Sequence, residues 1–331
     1  MRVLLTVDVE AHRLVDEIAG PKRDGLGRIL SLFDAHRVRG TFFIDVCGAD
    51  TWGEDVIRGA GDRILANGHD LQLHVHPHHC TRDSSRWLLS EYSYEEQQLI
   101  LGKAVERYRQ YFGKEPQSFR AGGFGLDDHT IDLVRSAGIE VDCSFMWGRA
   151  GCNITPFARG VPSIYRGIKE LPMTPVIDLG TRRWPLRIGT LDFNWHPLFV
   201  LEDALATLRA ASAPVAVLLL HSSSMYVRIG ERHLLYRVAH ERKLSRLLDF
   251  LTAGGFSVLP VTEATGQLKW HTDLPVDDVA YVARGIPVQY TVLLFQSLVG
   301  AGISATFQAF IIGHLAVAAL LVGAILWLVR K

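Results

Sequence analysis

The feature that most constrains the fold is an alternation of short apolar runs with segments of helical length. The uninterrupted apolar run 215–220 is typical of a strand buried on both faces. Strands separated by helices of this length predict βαβ units and a parallel sheet. The predicted strands are 3–7, 40–46, 70–74, 117–120, 139–144, 215–220 and 256–259, and the predicted helices are 26–36, 54–66, 93–112, 128–137, 201–211 and 233–253. The 331 residues allow two domains, or one α/β barrel with an appendage.

Residues 147–197 interrupt this alternation. Glycines, prolines and the tryptophans Trp147, Trp184 and Trp195 are spread through them. We expect long loops here, with a hairpin, that shape a substrate groove. Packing of the tryptophans in the core explains the same composition.

Two acids follow the first predicted strand. Asp8 and Glu10 face the same way because strand side chains alternate. Neighbouring carboxylates repel each other, so a cation between them would stabilise both. Solvated acids at the end of a strand are the alternative.

A histidine-rich stretch follows the third predicted strand. Residues 68–80 contain five of the fourteen histidines. His74 and His78 can share a metal ion only if the chain bends between them, and Pro77 favours such a turn. His76 would then point away from both. A histidine-rich surface loop is the alternative, and Cys80 is either a further ligand or an idle thiol.

Two more polar residues end predicted strands. Arg120, which precedes a glycine cluster, can hold a carboxylate ionised, although surface ion pairs are common for such arginines. His221 ends the run 215–220 and is a candidate acid or base. The six residues that follow strand ends in this way are Asp8, Glu10, His74, His78, Arg120 and His221. Active sites of α/β barrels form at this edge.

Four motifs carry a resemblance to a known family. They are Thr6-Val7-Asp8-Val9-Glu10, His74-Val75-His76-Pro77-His78, Arg120-Ala121-Gly122-Gly123 and Leu219-Leu220-His221-Ser222. In this order, over roughly residues 1–265, the chain resembles the polysaccharide deacetylases, also known as NodB-homology proteins or carbohydrate esterase family four. The resemblance implies a distorted (β/α) barrel of about seven strands that removes N-acetyl groups from amino sugars with a divalent metal.

The resemblance also implies roles for individual residues. Asp8 would be the general base, Arg120 would orient and acidify it, and His221 would protonate the leaving amine. Glu10, His74 and His78 would hold the metal, usually zinc, and a His/His/carboxylate set with open positions also suits catalytic zinc chemically. The backbone N–H groups around Gly122 and Gly123 would add a contact to the oxyanion.

The sequence departs from the usual family pattern in several places. Glu10 stands where aspartate is common, and His76 remains a rival ligand because it follows Val75 where Ser or Thr usually stands after the first histidine. Ala121-Gly122 lacks the usual proline. The aspartate that orients the catalytic histidine is assigned to Asp142. These departures resemble the branch associated with lipopolysaccharide and capsule biosynthesis.

Charge and cysteine content exclude some function classes. Residues 1–283 carry 32 basic and 35 acidic side chains, and no polybasic patch suggests nucleic acid binding. Cys47, Cys80, Cys143 and Cys152 show no CxxC spacing, and nothing at the N-terminus resembles a signal peptide. We therefore expect reduced thiols in a cytosolic domain.

The end of the chain has a different composition. Residues 285–329 are 45 consecutive residues without Asp, Glu, Lys or Arg, which suits two membrane spans better than one. A hairpin of spans at about 286–303 and 309–329 would return Arg330 and Lys331 to the cytoplasmic side. A single span, with the first segment in the interface, is the alternative. The predicted organisation is a catalytic domain at 1–270, a linker at 271–285 and a membrane anchor at 286–331.

The combined hypothesis is a deacetylase at the cytoplasmic membrane that acts on an amino sugar. The anchor suggests a substrate linked to polyprenyl phosphate and used in surface-glycan assembly. One alternative is a deformylase or a non-sugar amidase on the same scaffold. Another is a catalytically inactive glycan-binding protein at the membrane.

Overall fold

The computed structural model describes residues 1–10, 24–156, 159–180, 185–229, 233–272 and 281–282. In chain order its strands β1 to β14 are Arg2–Val9, Thr41–Asp45, Asp70–Val75, Ser118–Ala121, Val141–Asp142, Ser163–Tyr165, Ile168–Glu170, Pro175–Gly180, Pro185–Thr190, Val215–His221, Tyr226–Ile229, His233–Tyr236, Ser257–Val258 and Tyr281–Val282. Its helices α1 to α9 are Gly25–Ala35, Ala49–Trp52, Glu54–Ala66, Pro77–Thr81, Tyr94–Phe112, Asp128–Ser136, Leu198–Ala210, Val238–Ala253 and Val261–Thr265.

The main sheet has nine strands in the order β10-β1-β2-β3-β4-β5-β7-β6, with β13 also paired to β1. Its pairs are parallel except for the β6–β7 hairpin. The predicted α/β fold with a parallel sheet is confirmed. The sheet has two strands more than the seven predicted, because the β6–β7 hairpin extends it beyond β5.

Alternate residues of β1 pack into two different layers. Val3, Leu5 and Val7 belong to the core cluster that contains the buried side chains of α1. Leu4 packs on the other face of the sheet with residues of β10 such as Val217. Thr6 and Asp8 share that face with Leu4 because side chains alternate along a strand. The predicted acid therefore lies on the side of the sheet opposite α1.

Local signals define α5 at both ends. The Ser93 hydroxyl accepts from the Glu96 backbone N–H at 3.3 Å, and the Glu96 carboxylate accepts from the Ser93 N–H at 2.8 Å. This capping box satisfies N–H groups that an open helix end leaves without partners. Gly113 ends the helix with a φ of 62°. The predicted bounds of this helix agree with the structure.

The irregular region contains two hairpins, β6–β7 and β8–β9, where one was expected. The predicted helix 233–253 is too long, because α8 begins at Val238. Residues 233–236 instead form β12, which pairs antiparallel with β11. Apolar residues at helical spacing continue into this strand, so the sequence pattern alone does not separate the two elements.

Part of the predicted linker at 271–285 pairs with a strand of the catalytic domain. Tyr281 and Val282 pair with Val176 and Ile177 of β8. The Tyr281 hydroxyl also hydrogen-bonds the Asp203 carboxylate. The predicted anchor at 286–331 lies outside the described residues. Within the part of the chain that is described, no helix is long and apolar enough to cross a membrane.

Candidate active site

A cavity of about 510 Å³ lies at the carboxyl ends of β1 and β10. Three of the predicted residues, Asp8, Glu10 and His221, line it together with His76. Asp8 and His221 are register partners in neighbouring parallel strands, which places them side by side at one edge of the sheet. The strand ends therefore bring together most of the predicted constellation.

A buried ion pair forms the floor of this site. Arg120 Nη1 donates to Asp8 Oδ1 at 2.7 Å, and the Arg120 side chain is fully buried. Burial raises the pKa of Asp8, but the charges of Arg120, His74 and His221 outweigh it and lower the pKa overall. Asp8 is thus held as a carboxylate inside the protein.

The rest of the Arg120 guanidinium is also partnered. Nε donates to the Cys143 carbonyl and Nη1 to the Thr6 hydroxyl, each at 3.1 Å. Nη2 lies 3.3 Å from the Met173 sulfur, and the Phe43 ring stacks 4.2 Å from the guanidinium carbon. A buried charge is tolerated only when it is paired and hydrogen-bonded in this way.

Glu10, His74 and His76 form a cluster that could hold a metal ion, since one donor atom from each lies within 4.8 Å of the others. The His74 Nδ1–H donates to the Arg120 carbonyl at 2.8 Å, which leaves the buried Nε2 without a hydrogen-bond partner. Metal-binding histidines commonly donate their second N–H to a backbone carbonyl in this way. His76 Nε2 lies 3.1 Å from Glu10 Oε1. These donors fit a divalent metal.

The two imidazoles of the cluster have opposite pKa shifts. Burial lowers the pKa of His74. Burial also acts to lower the pKa of His76, but the hydrogen bond and charge of Glu10 outweigh it and raise the pKa. Metal binding requires the neutral imidazole, so a cation would compete with the proton at His76.

The cluster contains His76 where the predicted ligand set of Glu10, His74 and His78 had His78. The extended backbone continues through His76, with φ of −94° and ψ of 107°, and Pro77 begins α4 instead of bending the strand. His74 and His76 therefore share one face at a spacing of two residues. His78 lies in α4, where its ring centroid is 4.4 Å from that of Trp87. It lines a second cavity of about 670 Å³.

Cys47 and Cys80 form a disulfide, with a Cα–Cα distance of 4.7 Å. The expectation of reduced thiols is therefore wrong for this pair, as is a ligand role for Cys80. Cys47 follows β2, and Cys80 follows the neighbouring β3, so the sheet brings the two residues together although 33 positions separate them. Cys143 and Cys152 are free thiols.

The glycine cluster has two separate positions. Gly123, with a φ of 61°, lines the cavity. Gly122 lies behind His76, where an added Cβ would be 2.5 Å from the ring Nδ1. Any side chain at residue 122 would therefore displace that imidazole. The predicted oxyanion contact fits the position of Gly123, whereas Gly122 provides close packing behind the cluster.

Asp192 is a cavity residue that the sequence analysis missed. Asp192 pairs with Leu219 in an isolated bridge, two residues before His221. Burial raises the pKa of Asp192, and the nearby charge of His221 opposes this rise. Asp192 lies in the irregular region 147–197, where no periodic pattern marked it.

Asp142, the residue predicted to orient His221, lies elsewhere. Its carboxylate accepts from the Ser144 hydroxyl at 2.6 Å and from the Ser144 N–H at 3.2 Å. It is fully buried beside Glu170, and burial together with the Asp142 charge raises the pKa of Glu170 well above its usual value. Ser144 in turn accepts the Ala121 N–H at 2.8 Å. Asp142 thus supports the turn after Arg120.

Comparisons with known proteins agree with the motifs. A family model described as polysaccharide deacetylase matches residues 2–141, which include three of the four motifs. The fourth, around His221, lies beyond the matched segment. A comparison with curated proteins gave no match.

Several solved structures are similar. A Mycobacterium smegmatis protein assigned as a polysaccharide deacetylase is 17% identical, with a TM-score of 0.53 over 83% of this chain and 94% of its own. A family 4 acetyl xylan esterase from Clostridium thermocellum, in complex with a cobalt ion, is 15% identical, with a TM-score of 0.45 over 83% and 100%. A family 4 pseudoenzyme from Bacillus anthracis is 15% identical, with a TM-score of 0.46 over 85% and 69%.

At these identities the likeness concerns the fold, and only the first comparison has a TM-score high enough to support it. The shared fold and the family match point the same way as the motifs. Residues 2–141 of the chain are similar to the polysaccharide deacetylase family.

Proposed function

We propose that the protein is a metal-dependent hydrolase that removes the N-acetyl group of an amino sugar. The observation that carries this proposal is one cavity lined by Asp8, Glu10, His76 and His221. Behind this lining, Arg120 pairs with Asp8, and His74 completes the cluster with Glu10 and His76. An amide hydrolase needs a base for water, a stabilised oxyanion and an acid for the leaving amine. The cavity has candidates for each.

Each residue has a distinct task. A divalent metal held by Glu10, His74 and His76 would lower the pKa of a bound water and polarise the amide carbonyl. Asp8, kept ionised by Arg120, accepts the proton of the attacking water. His221, beside Asp8 at the next strand end, donates a proton to the departing nitrogen.

The experiment is metal analysis and acetate release with the full chain, purified in detergent and loaded with zinc. An N-acetylated amino sugar is the substrate. We expect stoichiometric metal and turnover in the wild type, loss of both in His74→Ala, and loss of turnover alone in Asp8→Asn. His129→Ala is a matched control because this exposed histidine lies far from the cluster in the chain. A wild type that binds no zinc would exclude the metal-dependent mechanism.

The same assay separates the alternatives. Formate release from N-formyl sugars without acetate release from N-acetyl sugars would indicate a deformylase. Release of acetate from non-sugar amides only would indicate a general amidase. Metal and sugar binding with no turnover would indicate an inactive glycan-binding protein. Loading with zinc, cobalt or manganese in parallel identifies the metal that supports the reaction, which we expect to be zinc.

We further propose that the enzyme works at the cytoplasmic membrane on a sugar linked to polyprenyl phosphate during surface-glycan assembly. The 45 uncharged residues 285–329 support this location, because a bilayer span needs about 20 apolar residues. An anchored enzyme would meet a lipid-linked sugar by diffusion along the surface. Fractionation of the full chain tests the location. Turnover of a soluble oligosaccharide without turnover of the lipid-linked sugar would exclude a substrate linked to polyprenyl phosphate.

A further inference from the structure

A second cavity, of about 670 Å³, has aromatic rings over much of its wall. Its lining, which we call the aromatic cleft, includes Trp52, Trp87, His78, His79, Asp50 and Arg82. Sites that bind small organic molecules have volumes in this range and are lined by aromatic side chains with a few polar groups. The proposed reaction uses none of these six side chains, so the cleft calls for a separate explanation.

Four rings of the cleft contact one another in a row. The ring centroid of Trp87 lies 4.4 Å from that of His78. The His78 ring lies 4.1 Å from that of His79, which lies 4.6 Å from the ring of Trp52. The row therefore forms a continuous aromatic surface with one tryptophan at each end.

Trp87 is held at the surface by its own segment. Its side chain is 57% exposed, although burial of so large an apolar group would be favourable. The Glu91 carboxylate accepts from the backbone N–H groups of Trp87 and Leu88 at 2.6 and 2.8 Å, and the indole N–H donates to the Ser84 carbonyl at 2.8 Å. The ring is thus fixed before a ligand arrives, and a ligand that stacks on it immobilises little further.

The aromatic cleft and the active-site cavity are adjacent. The ring centroid of His76, which lines the active-site cavity, lies 5.3 Å from that of His78. Gly123 also lines that cavity, and a Cβ added there would lie 2.9 Å from the Cδ2 of Leu88, the residue after Trp87. Two separate contacts therefore place the cleft beside the proposed catalytic residues.

The charged groups of the cleft do not favour an ionic ligand. Asp50 and Arg82 contribute one charge of each sign. The Asp50 carboxylate pairs with Lys103 at 2.8 Å and also with Arg107, so its charge is already compensated. The Arg82 Nη2 donates to the Asp50 carbonyl at 3.2 Å. A neutral ligand with apolar faces and polar edges suits this lining.

We propose that the aromatic cleft is a second sugar-binding site, which holds a pyranose ring of a glycan against Trp87. A pyranose has C–H groups on its faces and hydroxyl groups around its edge. The negative face of an indole ring attracts the C–H groups, and the guanidinium of Arg82 supplies N–H donors for hydroxyl oxygens. The choice of a sugar among neutral ligands rests on the proposed function, because the adjacent cavity would act on an amino sugar of the same glycan.

The first test is calorimetric binding with the zinc-loaded full chain in detergent. The protein carries Asp8→Asn to block turnover, and the probes are N-acetylglucosamine and its β-1,4-linked tetrasaccharide. The variant is Trp87→Ala, which removes the ring but keeps the backbone N–H that donates to Glu91. Tyr94→Ala is the matched control, because this exposed aromatic residue contacts His129 and lines neither cavity.

We expect the tetrasaccharide to bind about tenfold more weakly to Trp87→Ala, because one aromatic contact is lost. Binding of the monosaccharide should not change, since a single sugar occupies the active-site cavity. Trp87→Phe should recover part of the affinity, and Tyr94→Ala should bind as the parent does. Equal affinity of the tetrasaccharide for the parent and Trp87→Ala, or no binding of the tetrasaccharide at all, would overturn the inference.

Acetate release in the protein with Asp8 intact separates this inference from the proposed function. Trp87→Ala should raise KM for the tetrasaccharide about tenfold and leave kcat for the monosaccharide unchanged. Acetate release with the same KM in the wild type and Trp87→Ala would overturn the sugar site and leave the deacetylase function standing. Binding that depends on Trp87, in a protein that releases no acetate, would support the sugar site and reject the deacetylase function.

Discussion

Two pairs of histidines lie within six residues and have different surroundings. His74 and His76 are on one face of an extended segment, with ring centroids 4.9 Å apart, and form a cluster with Glu10. His78 and His79 lie in α4, with ring centroids 4.1 Å apart. The backbone changes from strand to helix at the residue between these pairs. Side-chain direction therefore changes within a single motif.

The second pair, His78 and His79, has a packing role. His79 Nδ1 donates to the buried Asp45 carboxylate at 2.5 Å, and its ring lies 4.6 Å from that of Trp52. The disulfide between Cys47 and Cys80 joins the same two segments. Four neighbouring histidines thus divide, according to backbone conformation, into two members of the candidate metal cluster and two packing residues.

The largest expected effect is a difference between His76→Ala and His78→Ala. We expect His76→Ala to lose both bound zinc and acetate release, because it removes a donor from the cluster. His78→Ala should retain stoichiometric zinc and most of the activity. Metal analysis and acetate release measure both. Equal loss of zinc in the two variants would return His78 to the ligand set and break the comparison.

The next effect concerns stability at the floor of the cavity. Arg120→Met leaves Asp8 buried without its cation, which costs about 3–5 kcal/mol of the free energy of unfolding. Urea denaturation of the full chain measures this loss. Adding Asp8→Asn to the same variant should recover part of it, because the uncompensated charge is then removed. If Arg120→Met alone were as stable as the wild type, this result would contradict a buried ion pair between Arg120 and Asp8.

Removing the disulfide should lower the stability of the protein without loss of zinc from the Glu10, His74 and His76 cluster. Cys47 and Cys80 are 33 residues apart, and a loop of that length corresponds to about 3–4 kcal/mol in the chain-entropy account. The double variant Cys47→Ala/Cys80→Ala should therefore have a lower Tm and still bind zinc. Cys152→Ser is the control, because this thiol is free. A wild-type Tm that does not respond to reductant would show that the disulfide is absent.

The smallest expected effect concerns His69, which has a third kind of histidine environment. It is a change in the free energy of unfolding with pH. His69 packs against Phe33 and Phe42, with ring centroids 5.7 and 5.1 Å apart, and burial lowers its pKa to about 4. The unfolded chain binds this proton near pH 6.5, so between about pH 4 and 6.5 the unfolded state holds more protons. The free energy of unfolding should therefore rise with pH across this window, by on the order of 2–3 kcal/mol, and level off above it.

His69→Phe should flatten that dependence while it keeps the aromatic packing. Urea denaturation at several pH values between 4 and 7 compares the variant with the wild type. His129→Phe is the control, because that histidine is exposed. Identical slopes for His69→Phe and the wild type would show that His69 titrates normally in the folded protein.

Much of the site could be predicted because its residues follow strands with clear apolar patterns. Asp8 and Glu10 share a face by simple alternation, and His221 ends a run that only a buried strand explains. Asp192 had no such signal, since it lies in an irregular segment and reaches the cavity through a bridge to Leu219. Asp142 gave a different problem, because it lies in β5, a strand of only two residues, and its position in the sequence does not show which side chains it contacts.

The sequence by itself determined the alternation of strands and helices, the cap of α5 and the edge of the sheet where the polar residues meet. These features depend on periodicity and on hydrogen bonds between residues a few positions apart. Only the tertiary structure decided that His76 joins Glu10, that Cys47 pairs with Cys80 and that Asp192 lines the cavity. Those outcomes depend on which distant segments become neighbours, and on the backbone angles at Pro77, which spacing along the chain does not specify.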